Sequence, residues 1–479
     1  MVLVAIAMVA IIAMAALSID VITLYLAREE AQRSADTGAL AAARVISISG
    51  MTGDPTNSSS SWQAICGGSG SPATQAATGV ATQSAVGGAV ATTVNVTYSA
   101  GGEGPTGNCN SLPPAFAVNP MVTVQVTRAS LPTFFSRIWG NTGNTVSATA
   151  TAEAFNPSNS GNVGNQTTGT ITPVQPRCVK PWVVPNIDPL NPAPVTVGHG
   201  FGATTYYCGQ GGPEGTCKAI VSTVNGSIQN PGISTGGNSN AIGETFWLSP
   251  DCRHTGSSCT LRQSPPGANY SEAGYVQGPP NLQFVPGLAP TTTPAAVPTV
   301  CAGGGVSDLY QQAIAGCDQT TVYQCGLQSS TPNEVNLGEN PDLDTANAVQ
   351  CLINEADPNT LNDGQDAINI SQYPFQILEG SANPLALGGL GQSSVISVSS
   401  SIVSLPIYDS AATTITQTPA TRPVSIVGFL QVFINQVDQY GNVSVTVLNV
   451  AGCGNGATQT PNAAVTGSSP VPIRLITPP

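Results

Sequence analysis

The sequence is poor in charged side chains and has few of the groups that bind nucleic acid. Only 8% of its 479 residues are charged, with 12 Lys and Arg against 25 Asp and Glu. Because phosphate binding requires clustered basic side chains, this balance argues against a nucleic-acid partner. The surface must consist largely of Ser, Thr, Asn, Gln and Gly, while the 41% hydrophobic content is enough to build sizeable cores.

Residues suited to catalysis are also scarce. The only histidines, His199 and His254, lie among Gly, Ser and Thr and have no adjoining catalytic signature. Neither a phosphate-binding Gly-x-x-x-x-Gly-Lys loop nor a His-Glu-x-x-His zinc helix is present. A pair of carboxylates stays open as an alternative, since two acidic residues can meet in space without being close in sequence. We therefore expect a non-catalytic protein without a cofactor.

Cysteines are even in number but never have the Cys-x-x-Cys spacing of zinc ribbons and redox sites. All twelve follow the first apolar segment, and with only two histidines available we expect disulfides and no metal site. Such cross-links persist outside the cytoplasm. The candidate pairs are three local loops and one staple in the first module: Cys208 with Cys217, Cys252 with Cys259, Cys317 with Cys325, and Cys66 with Cys109.

A long apolar run opens the chain. Met1 to Ile19 is interrupted only by Ser18, and as a helix it would span about 28 Å, close to the hydrocarbon thickness of a bilayer. A cleaved signal peptide is the alternative, with Ala13-Met14-Ala15 as the peptidase site, although no basic segment precedes the apolar run. We favour an uncleaved, single-pass membrane anchor, with the bulk of the chain outside the cytoplasm.

The helix is predicted to continue beyond the membrane, because no Pro or Gly interrupts residues 1–37. Asp20 follows the apolar run directly, and Tyr25 and Arg28 suit the membrane interface. Small side chains then recur at helical spacing, which would let another backbone approach closely. They are Ala31, Ala35, Gly38, Ala39 and Ala42.

Residues 18–43 resemble the N-terminal region of TadE/TadG-like proteins of the Flp (Tad) pilus assembly system. The shared pattern is an apolar span, an Ile-Asp pair ending at Asp20, an aromatic residue at Tyr25, a basic residue at Arg28, and an ending of the form Ala-Asp-x-x-Ala-Leu-Ala-Ala-Ala. The resemblance implies a single-span, pilin-like envelope protein that works with pilin-like subunits and pilus assembly proteins. It also implies that Asp20 orients the span against a neighbouring pilin-like helix.

Composition divides the chain into four predicted parts within an α+β class. Residues 1–44 form the transmembrane anchor and its helical continuation, and residues 45–155 form a small pilin-like α+β module. Residues 156–176 are rich in Gly, Ser and Asn and form a linker. Residues 177–479 form a β-rich, disulfide-bonded extracytoplasmic region in which Pro is frequent and helical periodicity is scarce.

Alternating and continuous apolar runs predict the elements of both regions. In the module they are strands at 90–98, 121–128 and 145–154 and a short helix at 131–140. In the later region they are strands at 395–407, 424–434 and 442–450 and a helix at 344–356. Strand 424–434 should be central because it is almost wholly apolar, and Asp438-Gln-Tyr-Gly-Asn442 should turn it into the next strand as a hairpin.

An acidic stretch is the one chemical peculiarity of the later region. No Lys or Arg occurs between Arg262 and Arg422, although many Asp and Glu lie there. Asp342-Leu-Asp344 and the segment 357–364 have the composition of calcium loops, but Leu361 occupies a ligand position of the EF-hand pattern. We favour a solvated acidic surface over a calcium site.

The adhesive metal motif of some TadG-like proteins is also missing. Their von Willebrand A-type domain needs Asp-x-Ser-x-Ser, and here no Asp is followed two places later by Ser. We therefore expect a membrane-anchored, non-catalytic component of Flp-type pilus assembly or anchoring. A surface adhesin or ligand-binding protein with a TadG-like anchor is the first alternative, and a secreted hydrolase is the second.

Overall fold

The structure is a computed structural model. The residues that it describes contain every helix and strand named below. The described residues are 2–47, 65–91, 93–99, 106–110, 120–133, 143–154, 174–191, 195–197, 204–206, 218–223, 228–230, 240–251, 269–271, 274–277, 281–298, 305–321, 323–325, 333–357, 363–371, 375–384, 393–396, 398–411, 421–453, 465–467 and 473–476, with residues 112, 116, 140, 234, 301 and 471.

Four helices and 23 strands lie in these residues. The helices are α1 (Val2–Ser47), α2 (Pro72–Gln83), α3 (Leu309–Ala315) and α4 (Pro341–Ile353). The strands are β1 (Ala85–Val86), β2 (Ala89–Val90), β3 (Thr93–Ser99), β4 (Met121–Leu131), β5 (Asn144–Ala154), β6 (Val174–Pro176), β7 (Trp182–Pro185), β8 (Val195–Val197), β9 (Thr204–Tyr206), β10 (Thr245–Pro250), β11 (Asn269–Ser271), β12 (Gly274–Gln277), β13 (Asn281–Pro286), β14 (Glu334–Asn336), β15 (Ala367–Asn369), β16 (Gln376–Leu378), β17 (Val395–Ile396), β18 (Ile402–Tyr408), β19 (Thr421–Pro423), β20 (Ile426–Val437), β21 (Val443–Gly452), β22 (Val465–Gly467) and β23 (Ile473–Ile476).

The chain folds as two compact units, and the first combines both chain ends. It consists of Met1–Ser47, Pro55–Phe155 and Ile473–Pro479. Its sheet is antiparallel with the strand order β23-β5-β4-β3, and α1 packs against β4 and β5. Alternation of small and polar residues in β5 buries Ala148, Ala150 and Ala152, so that the helix can lie close to the sheet.

The three strands predicted for this module are confirmed as β3, β4 and β5, whose valine and threonine alternation fits a half-buried sheet. The fourth strand, β23, was not predicted. It comes from the last part of the chain and pairs Ile473 with Ala154 and Ile476 with Thr151. The predicted helix at 131–140 largely lies outside the described residues, although Leu131 itself ends β4.

The second unit, Ile48–Asp54 with Asn156–Pro472, is β-rich. Six strands close into a barrel in the order β10-β13-β7-β18-β20-β21. β10 runs parallel to β13, and β18 runs parallel to β7, while the other neighbours are antiparallel. Trp182 and Phe284 are buried in its core with their ring centroids 5.7 Å apart. The predicted class, a long apolar helix with an α+β module and a β-rich, disulfide-bonded later region, is confirmed.

The central hairpin of the barrel agrees with the sequence prediction. β20 lies between β18 and β21, and its turn is closed by Asp438, whose N–H donates to the Asn442 carbonyl oxygen at 2.9 Å. The Asp438 carboxylate in turn accepts from the N–H groups of Tyr440 and Asn442. The predicted helix at 344–356 is observed as α4, and the predicted strand at 395–407 is split into β17 and β18.

Disulfides are the part of the fold that local spacing predicted least well. Cys66 and Cys109 form the expected staple of the first module. The prediction that Cys317 pairs with Cys325 is wrong, because Cys317 pairs with Cys178 and Cys325 with Cys453. Each partner is more than a hundred residues away, brought close by barrel strands that pair across the unit. A further bond joins Cys301 to Cys351, while Cys208, Cys217, Cys252 and Cys259 lie outside the described residues.

The predicted boundaries 1–44, 45–155, 156–176 and 177–479 stay predictions. What the structure adds is the connectivity of the first unit, since the segment that precedes β23 in the chain belongs to the second unit. In sequence, the whole stretch Asn156–Pro472 is therefore inserted between β5 and β23.

Candidate functional site: the N-terminal helix and its sheet

The first half of α1 exposes large apolar side chains on all sides. Leu3 is 82% exposed, and Met8 and Ile12 are more than half exposed. The exposed apolar surface continues to Leu26. Among the described residues α1 is the helix that is long and apolar enough to cross a membrane. Exposure of such a large apolar surface is costly in water and favourable in a bilayer.

The second half of α1 is packed within its own module. Ala31, Ala35, Ala39 and Ala42 have no exposed surface, and the Ser34 hydroxyl donates to the Ala81 carbonyl oxygen of α2 at 2.6 Å. The small-residue stripe therefore permits close packing of α1 on α2 and the sheet. The interpretation that Ala31, Ala35, Gly38 and Ala42 pack against a partner's helix needs correction, since a side chain without exposed surface cannot also contact a second protein.

Gly38 shows how tight this packing is. A Cβ atom built at Gly38 would lie 3.1 Å from the Ala77 carbonyl oxygen and 3.2 Å from the Ala81 Cβ. Both are atoms of α2 that cannot swing away as the end of a long side chain could. Glycine at this position lets the two helices approach at a distance that larger residues do not allow.

Asp20, Tyr25 and Arg28 mark the change from exposed to packed helix. Asp20 is only 5% exposed and lines a cavity of about 260 Å³ together with Leu24, Ala27 and Leu131. Its carboxylate therefore turns inward to the module and not outward to lipid, which avoids the cost of a charge in hydrocarbon. Tyr25, by contrast, is 68% exposed, and Arg28 is also exposed.

The edge strand β23 is held to the sheet by one buried charge. Glu153 of β5 is 3% exposed and forms a salt bridge with the guanidinium of Arg474. The same two residues are direct neighbours in the strand register. Because an unpaired buried carboxylate is costly, this ion pair links the stability of the first sheet to the end of the chain.

The acidic stretch of the second unit is not the solvated surface that its composition suggested. Six of its carboxylate residues are buried: Asp318, Asp342, Asp344, Glu355, Asp366 and Glu379. Asp366, for example, accepts from the Gly380 N–H at 2.8 Å and from the Asn383 amide. The expectation was wrong for these six residues. Amides, hydroxyls and backbone N–H groups, which carry no charge signature in the sequence, bond all of them except Glu379, whose side-chain oxygens are buried without such a donor in the described part of the chain.

Glu355 is the most deeply buried member of this stretch, with no exposed surface. Its carboxylate accepts from the Val437 N–H at 3.2 Å and from the Gln365 amide at 3.3 Å. Burial raises the pKa of Glu355 to about 8, opposed by the bond from Val437 and supported by nearby carboxylates, among them Asp363. The folded state therefore binds a proton that the unfolded chain has already released at neutral pH.

Glu355→Gln is expected to remove a pH dependence of stability. A raised folded-state pKa means that stability is lost as the pH rises from about 4.5 through about 8, by an amount on the order of several kcal/mol. The neutral amide escapes this loss, so the variant should gain on the wild type as the pH rises. Denaturant unfolding at pH 5, 7 and 9 measures the difference.

The control for this test is Glu334→Gln, which changes the same chemical group at a half-buried position in β14. It measures the effect of removing one carboxylate that does not bond to Val437 or Gln365. A parallel pH response of Glu355→Gln and the wild type would contradict the assignment of the proton to Glu355.

A pair of buried carboxyl groups lies elsewhere in the second unit. Asp188 and Glu244 are 1% and 3% exposed and hydrogen-bond each other. Burial raises both pKa values, that of Glu244 to about 9 with a further contribution from the nearby Asp188 charge. The pair therefore shares a proton at neutral pH. Asp188 also accepts from the Leu190 N–H at 3.0 Å, so the pair links the loop after β7 to the start of β10.

No motif in the sequence marks this pair, because 55 residues lie between Asp188 and Glu244 and neither stands in a recognisable catalytic pattern. Ser234 was not among the predicted site residues, although it stands in a Gly-Ile-Ser-Thr-Gly sequence, which has the Gly-x-Ser-x-Gly form found at hydrolase nucleophiles. Ser234 is 3% exposed, its N–H donates to the Ile242 carbonyl oxygen at 2.7 Å, and its hydroxyl is buried. A nucleophile needs an open hydroxyl, which this burial does not provide.

The described residues also bear on metal binding. Within them, no cluster of three or more His, Cys, Asp or Glu side chains has the arrangement to hold a metal ion. His199 and His254 lie outside the described residues.

Comparison with known proteins bears on the helix alone. Residues 1–45 match the family model described as putative Flp pilus-assembly TadE/G-like. The resemblance seen in the sequence is thereby confirmed for this segment, which covers nearly all of α1. No curated protein and no solved structure matches the chain. The match associates the N-terminal region with Tad pilus assembly and does not extend to the β-rich unit.

Proposed function

We propose that the chain is a membrane-anchored, non-catalytic component of Flp-type (Tad) pilus assembly or anchoring. The family match over residues 1–45 carries this proposal. The matched segment coincides with one unbroken helix, apolar and exposed in its first half and packed on a four-stranded antiparallel sheet in its second half. A helix of this kind suits a pilin-like protein, because one half can stay in the membrane while the other supports a folded module.

The proposed location is a bacterial cell membrane, crossed once, with the bulk of the chain periplasmic or extracellular. The exposed apolar half of α1 supports the single crossing. The eight described cysteines, all in disulfides, support an oxidising compartment for both units. Protease added to spheroplasts should digest both units and leave a small membrane-bound fragment.

The proposed contact with pilin-like partners lies on the exposed half of α1. The small residues from Ala31 onward are buried inside the module and cannot contact a partner. We therefore place the contact with a partner helix on the apolar first half of α1, which lies in the membrane. Ala15 and Ser18 are exposed there, one helical turn apart, and together form the kind of small surface on which membrane helices pack.

The double variant Ala15→Leu with Ser18→Leu tests this function. It keeps a high helix propensity and raises the hydrophobicity of the apolar segment, so insertion and folding should not be impaired, but close approach of a partner helix is blocked. We expect co-purification with pilus assembly proteins to be lost and surface pili to be reduced. Measurements are affinity co-purification from membranes and counting of pili by electron microscopy.

The matched control is Ile12→Leu, an isomeric change at another exposed position of the same helix. It should assemble pili normally. If cells that lack the chain altogether are fully piliated, the pilus role is wrong, and a surface adhesin with a TadG-like anchor becomes the better function.

A further inference from the structure

A groove runs along α1 where the helix leaves its exposed apolar half. It is about 350 Å³ in volume and lies between one face of α1 and the start of β5. The helix contributes Val21, Leu24, Tyr25 and Arg28, and the strand contributes residues 145–147. It is separate from the cavity beside Asp20, which shares only Leu24 with it.

The strand side of this groove is an open sheet edge. β23 pairs with β5 only from Thr151 to Ala154, and no described strand covers the same edge nearer the start of β5. The Thr149 carbonyl oxygen points to this edge, since it accepts from the Gln32 amide at 3.3 Å. In an antiparallel strand the N–H and C=O of every second residue point the same way, so Thr145 and Ser147 direct their backbone groups to the groove.

The helix side of the groove changes from apolar to basic along its length. Val21 and Leu24 continue the apolar surface that begins at Leu3, and Tyr25 is the aromatic residue at the boundary. Arg28 is the first basic residue of the sequence. Guanidinium and backbone N–H groups are the donors that proteins use for phosphate oxygens.

We propose that this groove binds the phosphate of a bilayer phospholipid. Arg28 and the backbone N–H groups of Thr145 and Ser147 hold the phosphodiester, and Val21 and Leu24 contact the upper part of an acyl chain. Along the groove, apolar side chains are followed by the guanidinium of Arg28, just as the acyl chains of a phospholipid are followed by its phosphate. An extended peptide could pair with the same edge, but the apolar walls beside a membrane span favour the lipid.

This inference depends on the membrane anchoring in the proposed function and not on the pilus role, so loss of piliation would leave it intact. Its test uses the full chain purified in detergent. Dispersed phosphatidylglycerol should slow amide hydrogen exchange in the peptide covering residues 144–150 by about tenfold at about ten times its dissociation constant. Arg28→Gln should abolish this protection, and Arg44→Gln, at an exposed position farther along α1, should keep it.

Two further ligands distinguish the chemistry. Diacylglycerol has the acyl chains without phosphate, and inorganic phosphate has the anion without acyl chains, so neither should protect the peptide. Equal protection by diacylglycerol, or undiminished protection in Arg28→Gln, would overturn the proposal. Protection only when pilus assembly proteins are added, and never with lipid, would likewise overturn it and assign the edge to a peptide.

Discussion

Gly38→Leu is expected to destabilise the first module while leaving the barrel intact. The new side chain would have to enter the space where a Cβ atom alone comes within 3.1 Å of the Ala77 carbonyl oxygen. Relief requires α1 and α2 to separate, which would also break the Ser34 bond to Ala81. Overpacking that forces the backbone to shift typically costs about 1–3 kcal/mol, and occasionally more. Limited proteolysis at α2 and denaturant unfolding measure the effect.

Thr37→Leu is the matched control for Gly38→Leu. It introduces the same side chain at the neighbouring position, but Thr37 is exposed and bonds only within its own helix. The control should unfold close to the wild type. If Gly38→Leu is as stable as Thr37→Leu, the small-residue stripe is not packed inside the module, and its availability to a partner has to be reconsidered.

Removing the bond between Cys325 and Cys453 by a double change to serine should strongly destabilise the second unit. The two cysteines are 128 positions apart, and both are buried beside the barrel strands. A cross-link that closes so long a loop contributes about 4 kcal/mol by restricting the unfolded chain. Urea unfolding without reductant should show a correspondingly lower midpoint.

Peptide mapping under non-reducing conditions provides the independent check. It should recover Cys178 joined to Cys317 and Cys325 joined to Cys453. A peptide that joins Cys317 to Cys325 would contradict the structure and restore the local loop that spacing suggested. The wild type treated with reductant before unfolding should lose at least as much stability as the double serine variant.

Strands and helices with a strong local pattern could be predicted from the sequence. β4 and β5 alternate apolar and polar residues, which predicts half-buried strands. β20 is almost continuously apolar, which predicts a strand in the centre of a sheet. α4 has an apolar face and a Pro at its first turn. In each of these elements the residues that determine the structure are neighbours in sequence.

Pairings over long distances could not be predicted in the same way. β23 has only four residues, and nothing within Ile473–Ile476 indicates that its partner is β5. The disulfide partners of Cys317 and Cys325 depend on how the barrel brings its strands together. Likewise, the burial of Glu355 depends on amide and N–H donors from other segments, which the acidic composition of its own segment does not reveal.

The candidate site was predictable in its position and not in its orientation. The family pattern drew attention to the helix around Asp20, Tyr25 and Arg28, whose role in assembly stays a prediction. It could not show that the stripe containing Ala35 faces inward, because helical periodicity defines a face without identifying what covers it. The tight contacts at Gly38 come from α2, a helix that sequence reasoning did not identify.

The late position of β23 has a consequence for biosynthesis. A chain emerging from the membrane presents α1 first and β5 soon afterwards, but the edge partner of β5 is made only after all of Asn156–Pro472. Until the ribosome has passed residue 476, Glu153 lacks Arg474 and the outer edge of β5 lacks its strand. A chain cut short anywhere in the second unit would thus leave the sheet of the first unit without β23, although every other element of that sheet had been made.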